Sequence, residues 1–148
     1  MNITCGRTTW ELGKFIDKGG FGSVYEARSA DNGRDGVAKL IPKAAGSQRE
    51  LLFIDNLGDA RNIVPILDQG ETDDHYVLIM PRAERSLKDE IASRAAMDAA
   101  AALPILTDIA TALADLDGRV VHRDLKPGNI LLLDGHWWLL ANERGVGG

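Results

Sequence analysis

The chain has a single cysteine, Cys5, among its 148 residues. One thiol closes no internal disulfide, and no cluster of cysteines and histidines has zinc spacing, so neither a covalent staple nor a structural metal is expected to hold the fold. A reducing, cytoplasmic setting suits that usage. Positive charge is also in short supply, with 17 lysines and arginines against 22 aspartates and glutamates and a net charge of -5. Such a chain has no electrostatic attraction to a phosphate backbone, which argues against a nucleic-acid partner. The stretch from Met1 to Gly13 lacks a basic segment followed by an apolar one. No apolar stretch nears the ~18 residues of a membrane span, so a soluble chain without a membrane segment is expected. What is present is 45% hydrophobic content, enough to bury one core at the size of a single domain.

From Trp10 to Leu40, short apolar-alternating runs are punctuated by glycine: Phe15-Ile16, then Gly19-Gly20-Phe21-Gly22, then Val24-Tyr25, with a turn at Asp31-Asn32-Gly33. This pattern predicts antiparallel strands joined by turns. Behind Ser47, an N-cap residue type, Leu51, Ile54 and Leu57 fall at helical intervals and predict one short helix over Ser47 to Leu57. Ile63 to Leu67 and Tyr76 to Met80 return to β-branched and aromatic runs, separated by the polar turn Gln69 to Asp74 and ended by Pro81. Five strands and one helix then make a small first lobe over about residues 10–80.

A second, helical lobe is expected over residues 81–148. Ser86 caps a helix from Leu87 to Ser93, and an alanine-rich segment follows in which Leu106, Ile109, Leu113 and Leu116 form one apolar stripe. Pro104 interrupts any helix running from Asp98, so the regular part is expected to start at or just after it, and Gly118 ends it. Val120-Val121 and Ile130 to Leu133 flank a polar loop, Asp134-Gly135 makes a hairpin turn, and Trp137 to Leu140 pairs back. The class is α+β.

Several residues admit both a bland and a chemical reading. Glycine in a hairpin turn is the ordinary route to positive φ, yet Gly19 and Gly22 also let backbone N–H groups approach phosphate oxygens, while Val24 on the next strand covers one face of an adenine ring. Lys39, among apolar strand residues, is either an edge-strand charge or a paired cation. Glu50 is either the third residue of a capping box begun by Ser47 or a partner that holds Lys39 against the α- and β-phosphates. Cys5 and Trp10 stand outside every motif and are assigned to surface and packing respectively.

The decisive stretch is His122-Arg123-Asp124-Leu125-Lys126-Pro127-Gly128-Asn129, set between an amphipathic helix and a hairpin. It resembles the catalytic loop of the protein kinase superfamily, with the lysine two places after the aspartate resembling the serine/threonine branch. The likeness continues upstream in order through Gly19 and Gly22, Lys39, Glu50, Asn62-Ile63-Val64, the strand Tyr76 to Met80 and Ser86-Leu87, and covers nearly the whole chain. It implies a protein-kinase-like fold, an antiparallel five-stranded N-lobe with one helix followed by the beginning of a helical C-lobe. It also implies binding of ATP with Mg2+ and transfer of the γ-phosphoryl group to a serine or threonine hydroxyl of a protein substrate. By the same resemblance Asp124 accepts the hydroxyl proton, Lys126 neutralises the transferring group, and Asn129 holds magnesium, while His122 is structural and Arg123 meets a phosphorylated loop. Ile79 resembles the gatekeeper, Met80 to Arg82 the adenine-binding hinge, and Leu131 the apolar floor beneath the adenine. The alanine-rich, low-lysine composition suggests a bacterial type.

Three positions depart from the family's pattern. Asp17 stands at the first glycine of the loop, Val37 replaces a smaller alanine two places before the lysine, and Asn142 falls where the Asp-Phe-Gly aspartate is expected. A neutral amide oxygen is a poorer ligand than a carboxylate for a hard dication, so weaker magnesium binding and little transfer are expected. The sequence closes at Gly148 before any activation segment, which implies a truncated domain, exposed apolar surface on the helical lobe, marginal stability, and room for a protein partner to cover that lobe. A pseudokinase acting as a nucleotide-binding regulatory module is the alternative, and a frameshift from about Asn142 a third reading.

Overall fold

The computed structural model describes residues 1–19, 22–44, 60–93, 97–116 and 126–140. It divides into two compact units, Met1–Leu51 with Pro65–Arg82, and Leu52–Val64 with Ala83–Gly148.

The first unit is an antiparallel sheet of β1 (Asn2–Thr4), β2 (Thr9–Gly19), β3 (Gly22–Ser29), β4 (Asp35–Pro42), β5 (Asp68–Glu71) and β6 (His75–Met80), in the order β1-β2-β3-β4-β6-β5. One strand more is present than the five expected, because the N-terminal Asn2–Thr4 adds to the edge of β2 with Ile3 opposite Trp10. The two edge strands then meet. Cys5 bridges Gly70, and the Gly6 N–H donates to the Gln69 carbonyl at 2.8 Å, so the sheet curls back on itself and its edges are covered rather than left open. Cross-strand partners point to one face, which sorts the residues into two sets. Ile3, Cys5, Trp10, Ala27, Ala38, Leu40, Val77 and Ile79 form the buried cluster. Val24, Val37, Lys39, Leu78 and Met80 lie on the opposite face.

Two further expectations for this unit change. Cys5 is buried, not on the surface, at 8% exposure. Burial, with a smaller push from Asp68, raises its thiol to about 11, so it stays protonated and unreactive at neutral pH. The strand expected over Ile63 to Leu67 lies further on, at Asp68–Glu71, in residues read as a polar turn. That polar strand is stable because its inward positions are special. Asp68 is satisfied by four donors, and at Gly70 a Cβ would sit 2.7 Å from the Cys5 sulfur and 3.0 Å from the Thr4 carbonyl oxygen. Gly70→Ala is therefore expected to pry β1 from β5 and cost about 1–3 kcal/mol, read as a lower urea midpoint. An unchanged midpoint would show that the seam contributes nothing. The helix expected over Ser47 to Leu57 lies outside the described residues.

The second unit holds α1 (Leu87–Ala92), α2 (Ala99–Leu116) and a three-stranded sheet of β7 (Arg85–Ser86), β8 (Ile130–Leu133) and β9 (His136–Leu139), with a 3-10 turn at Pro127–Asn129. Ser86 caps α1 as expected, in a full capping box with Asp89. The β8–β9 hairpin turns at Asp134 and Gly135, both at positive φ, as an Asp-Gly pair allows. Asn62 to Val64 docks on β9, where Ile63 bridges Leu139 and the Val64 N–H donates to the Leu139 carbonyl at 2.9 Å. The core gathers Ile63, Leu87, Ile105, Ala112, Leu116, Ile130, Leu132, Trp137 and Leu139.

Helix α2 differs from its sequence reading in start, face and apolar length. It starts at Ala99, before Pro104, since the Asp98 carboxylate accepts from the Ala101 N–H at 2.8 Å and five alanine-rich residues precede the ring. A cap and strong helix formers outweigh the one hydrogen bond that proline removes. Its buried face carries Ile105, Ile109, Ala112 and Leu116, whereas Leu106 and Leu113 of the expected stripe are 60% and 38% exposed, beside Leu103 at 63%. Two anchored carboxylates set that rotation: Asp108 accepts from the Trp137 N–H at 2.8 Å, and Asp115 accepts from the Arg61 N–H and guanidinium at 2.6 and 2.9 Å. Contrary to the sequence reading, α2 is also long and apolar enough to cross a membrane by length and composition, with 18 residues at mean hydropathy 1.5. Alanine lifts that average, while Asp108 and Asp115 tie one face of the helix to protein donors.

Candidate active site

In the first unit the expected nucleotide-binding residues occupy one face of the sheet. Gly19 pairs with Gly22 at the end of the β2–β3 hairpin, Val24 pairs with Lys39 across β3 and β4, and Val37 pairs with Met80 across β4 and β6. Direct cross-strand partners share a side, so Val24, Lys39, Val37 and Met80 line the face opposite the buried cluster. Val24, Val37 and Met80 beside Lys39, with Glu26 opposite Val37, suit a flat purine next to a charged phosphate. Lys39 is 8% exposed, so its aliphatic stem packs against protein. Gly22 has a structural duty as well, because a Cβ there would fall 2.0 Å from the Leu40 carbonyl oxygen, next to Lys39. Arg82, the last hinge residue, donates to Glu26 on β3 at 3.2 Å. Ile79, the expected gatekeeper, is fully buried in the core cluster, and Leu78 rather than Ile79 stands opposite Lys39.

In the second unit, Lys126 is exposed and leads into the 3-10 turn that ends at Asn129. Asn129 is held by its backbone at both ends: its N–H donates to the Lys126 carbonyl at 2.9 Å, and its carbonyl accepts from Leu140 at 2.8 Å. The side chain that family likeness assigns to magnesium thus stands on a fixed backbone. Leu131 pairs with Trp138 and Ser86, on the hairpin face turned away from the core that Ile130, Leu132, Trp137 and Leu139 build. Glu50, Asp124 and Asn142 lie outside the described residues. Among the described residues no cluster of three or more histidine, cysteine, aspartate or glutamate side chains is placed to hold a metal ion, which leaves Asn129 as the described candidate ligand.

Sequence reasoning missed the carboxylate of Asp68. It is 5% exposed and accepts from the backbone N–H groups of Arg7 at 2.9 Å, Thr8 at 3.1 Å and Gln69 at 2.9 Å, and from the Trp10 indole at 3.0 Å. Burial pushes its pKa up, but these hydrogen bonds outweigh that and hold it below the ordinary carboxylate value.

The protein kinase domain family model matches residues 10–140. The chain belongs to the protein kinase family. It is 33% identical over 129 residues to serine/threonine-protein kinase 36 of Pongo abelii, covering 82% of this chain and 10% of that protein. It is 32% identical over 133 residues to serine/threonine-protein kinase PrkC of Bacillus subtilis, covering 83% of this chain and 20% of that protein. Against serine/threonine-protein kinase PknH of Mycobacterium bovis the identity is 33% over 135 residues, covering 83% and 22%. The chain therefore spans only a tenth to about a fifth of the length of these three relatives. Within the kinase family, the match from Trp10 to Leu140 includes every expected site residue except Asn142.

Proposed function

We propose that this kinase domain binds ATP with Mg2+ and transfers the γ-phosphoryl group to a serine or threonine hydroxyl of a protein. The strand register carries the reading: it sets Val24 opposite Lys39, and Val37 between Glu26 and Met80, on one face of the sheet. On that face Val24 and Val37 cover the adenine, Met80 to Arg82 meet its edge, and Lys39, held by Glu50, steadies the α- and β-phosphates. Family likeness assigns Leu131 the role of an apolar floor residue. Asp124 orients the attacking hydroxyl and takes its proton, and Lys126 offsets charge on the transferring group. Asn129 and Asn142 would hold magnesium, which would supply positive charge to the phosphate oxygens. Labelled phosphate from ATP should appear on casein as phosphoserine or phosphothreonine. Casein no more labelled than in a reaction lacking the chain, at saturating magnesium, would remove the transferase reading.

One observation favours a second reading. Asn142 in place of the family's aspartate leaves the metal site a carboxylate short, which suits a pseudokinase that binds nucleotide without transfer. Nucleotide binding with no labelled product would select it.

A further inference from the structure

The buried carboxylate of Asp68 does more than close the sheet. It stands opposite Ile79 in the β5–β6 ladder and on the same inner face, and the Leu67 N–H before it donates to the Ile79 carbonyl at 2.7 Å. The indole it holds comes from Trp10, near the start of β2, the strand that ends in the Gly19–Gly22 hairpin. Trp10, Ile79 and Met80 converge on one point, the α-carbon of Gly36. A Cβ there would meet the Met80 carbonyl oxygen at 2.9 Å, the Ile79 Cγ2 at 3.5 Å and the Trp10 Cζ3 at 3.5 Å. The Met80 carbonyl, the Ile79 side chain and the indole ring thus share one tight packing site, and the ring's other edge is fixed by a charge-assisted hydrogen bond.

Resting on the nucleotide-binding reading, we infer that Asp68 and Trp10 are positioning residues for the adenine hinge. The carboxylate fixes the indole, and the indole fixes the Ile79–Met80 backbone relative to β2, so that the hinge and the glycine hairpin address one nucleotide. Neither residue touches the nucleotide. A close-packed interior transmits a displaced ring to its neighbours, so loss of the Nε1 hydrogen bond shifts the Met80 carbonyl without unfolding the sheet.

The test is MgATP affinity by isothermal titration on the full chain, at a temperature where circular dichroism shows each variant folded. Trp10→Phe removes the indole donor and keeps an aromatic ring, while Asp68→Asn keeps the size and removes the charge. Both are expected to weaken MgATP about tenfold, the size of one charge-assisted hydrogen bond. Lys43→Ala, which breaks the exposed pair with Glu71 on the same sheet, should leave affinity unchanged. If Asp68→Asn does not fold, Trp10→Phe decides. Folded variants that melt lower but bind as tightly as the parent would assign Asp68 and Trp10 to stability alone and overturn the inference. No binding by the parent chain would overturn the nucleotide reading and the inference with it.

Discussion

Replacing Asp68 with alanine should lower stability by on the order of 3 kcal/mol or more, because three backbone N–H groups and the Trp10 indole lose their acceptor at a buried site. In a chain of this size that corresponds to a fall in melting temperature of about 6 °C or more. The effect should also carry a pH signature. Burial pushes the pKa of Asp68 up, but the hydrogen bonds from Trp10, Arg7, Gln69 and Thr8 hold it below its ordinary value of 3.8, so the stability it supplies is fully present above that value and is lost as pH falls through the folded-state value. The gap between parent and Asp68→Asn should therefore be widest near neutral pH and narrow in strong acid. Differential scanning calorimetry between pH 3 and pH 7 reads both, taking the lower limit from the ordinary carboxylate range. A constant gap over that range would mean that the charge is not what the four donors recognise.

The largest kinetic effect belongs to the catalytic loop. Asp124→Asn should reduce phosphoryl transfer to casein by about two to four orders of magnitude, the contribution of a positioned general base, while leaving MgATP affinity within a few-fold of the parent. Asn142→Asp should act in the opposite direction. It restores a carboxylate to the magnesium site and should tighten metal binding at least about tenfold, since even outer-shell changes at metal sites have effects of that size. Transfer assayed across a magnesium titration separates the two: Asp124→Asn lowers the plateau, and Asn142→Asp moves the midpoint to lower magnesium. If Asn142→Asp left the midpoint in place, residue 142 would not be a metal ligand, and the pseudokinase reading would lose its main support.

What could be read from the sequence was whatever depends on near neighbours or on a fixed order of chemical groups. The Ser86 cap, the Asp134-Gly135 turn and the hairpin after it follow from local rules, and the sheet of the first unit follows from alternation and glycine placement. Residues His122 to Asn129 pointed to the family because that order of residue types has few other uses. What stayed hidden lay in contacts between distant segments. Asp68 looks like one more polar residue beside a turn, and its role appears only when Arg7, Thr8 and Trp10, some 60 residues earlier, fold onto it. Cys5 gives no sign that β1 will close against β5 over it. In α2, leucine periodicity suggested one face, but the anchored carboxylates of Asp108 and Asp115 turned the helix so that Leu106 and Leu113 point outward. A polar side chain with a fixed partner outweighed apolar periodicity.

If the face carrying Val24, Lys39 and Met80 holds a nucleotide, MgATP should raise the melting temperature. Ligand binding to the native state alone raises stability by about 2.7 kcal/mol at a hundredfold excess over Kd, enough for a shift of several degrees. The expected result is a concentration-dependent rise in the parent chain that disappears in Lys39→Ala. A parent chain that melts at the same temperature with millimolar MgATP, or a Lys39→Ala variant that gains as much as the parent, would contradict it.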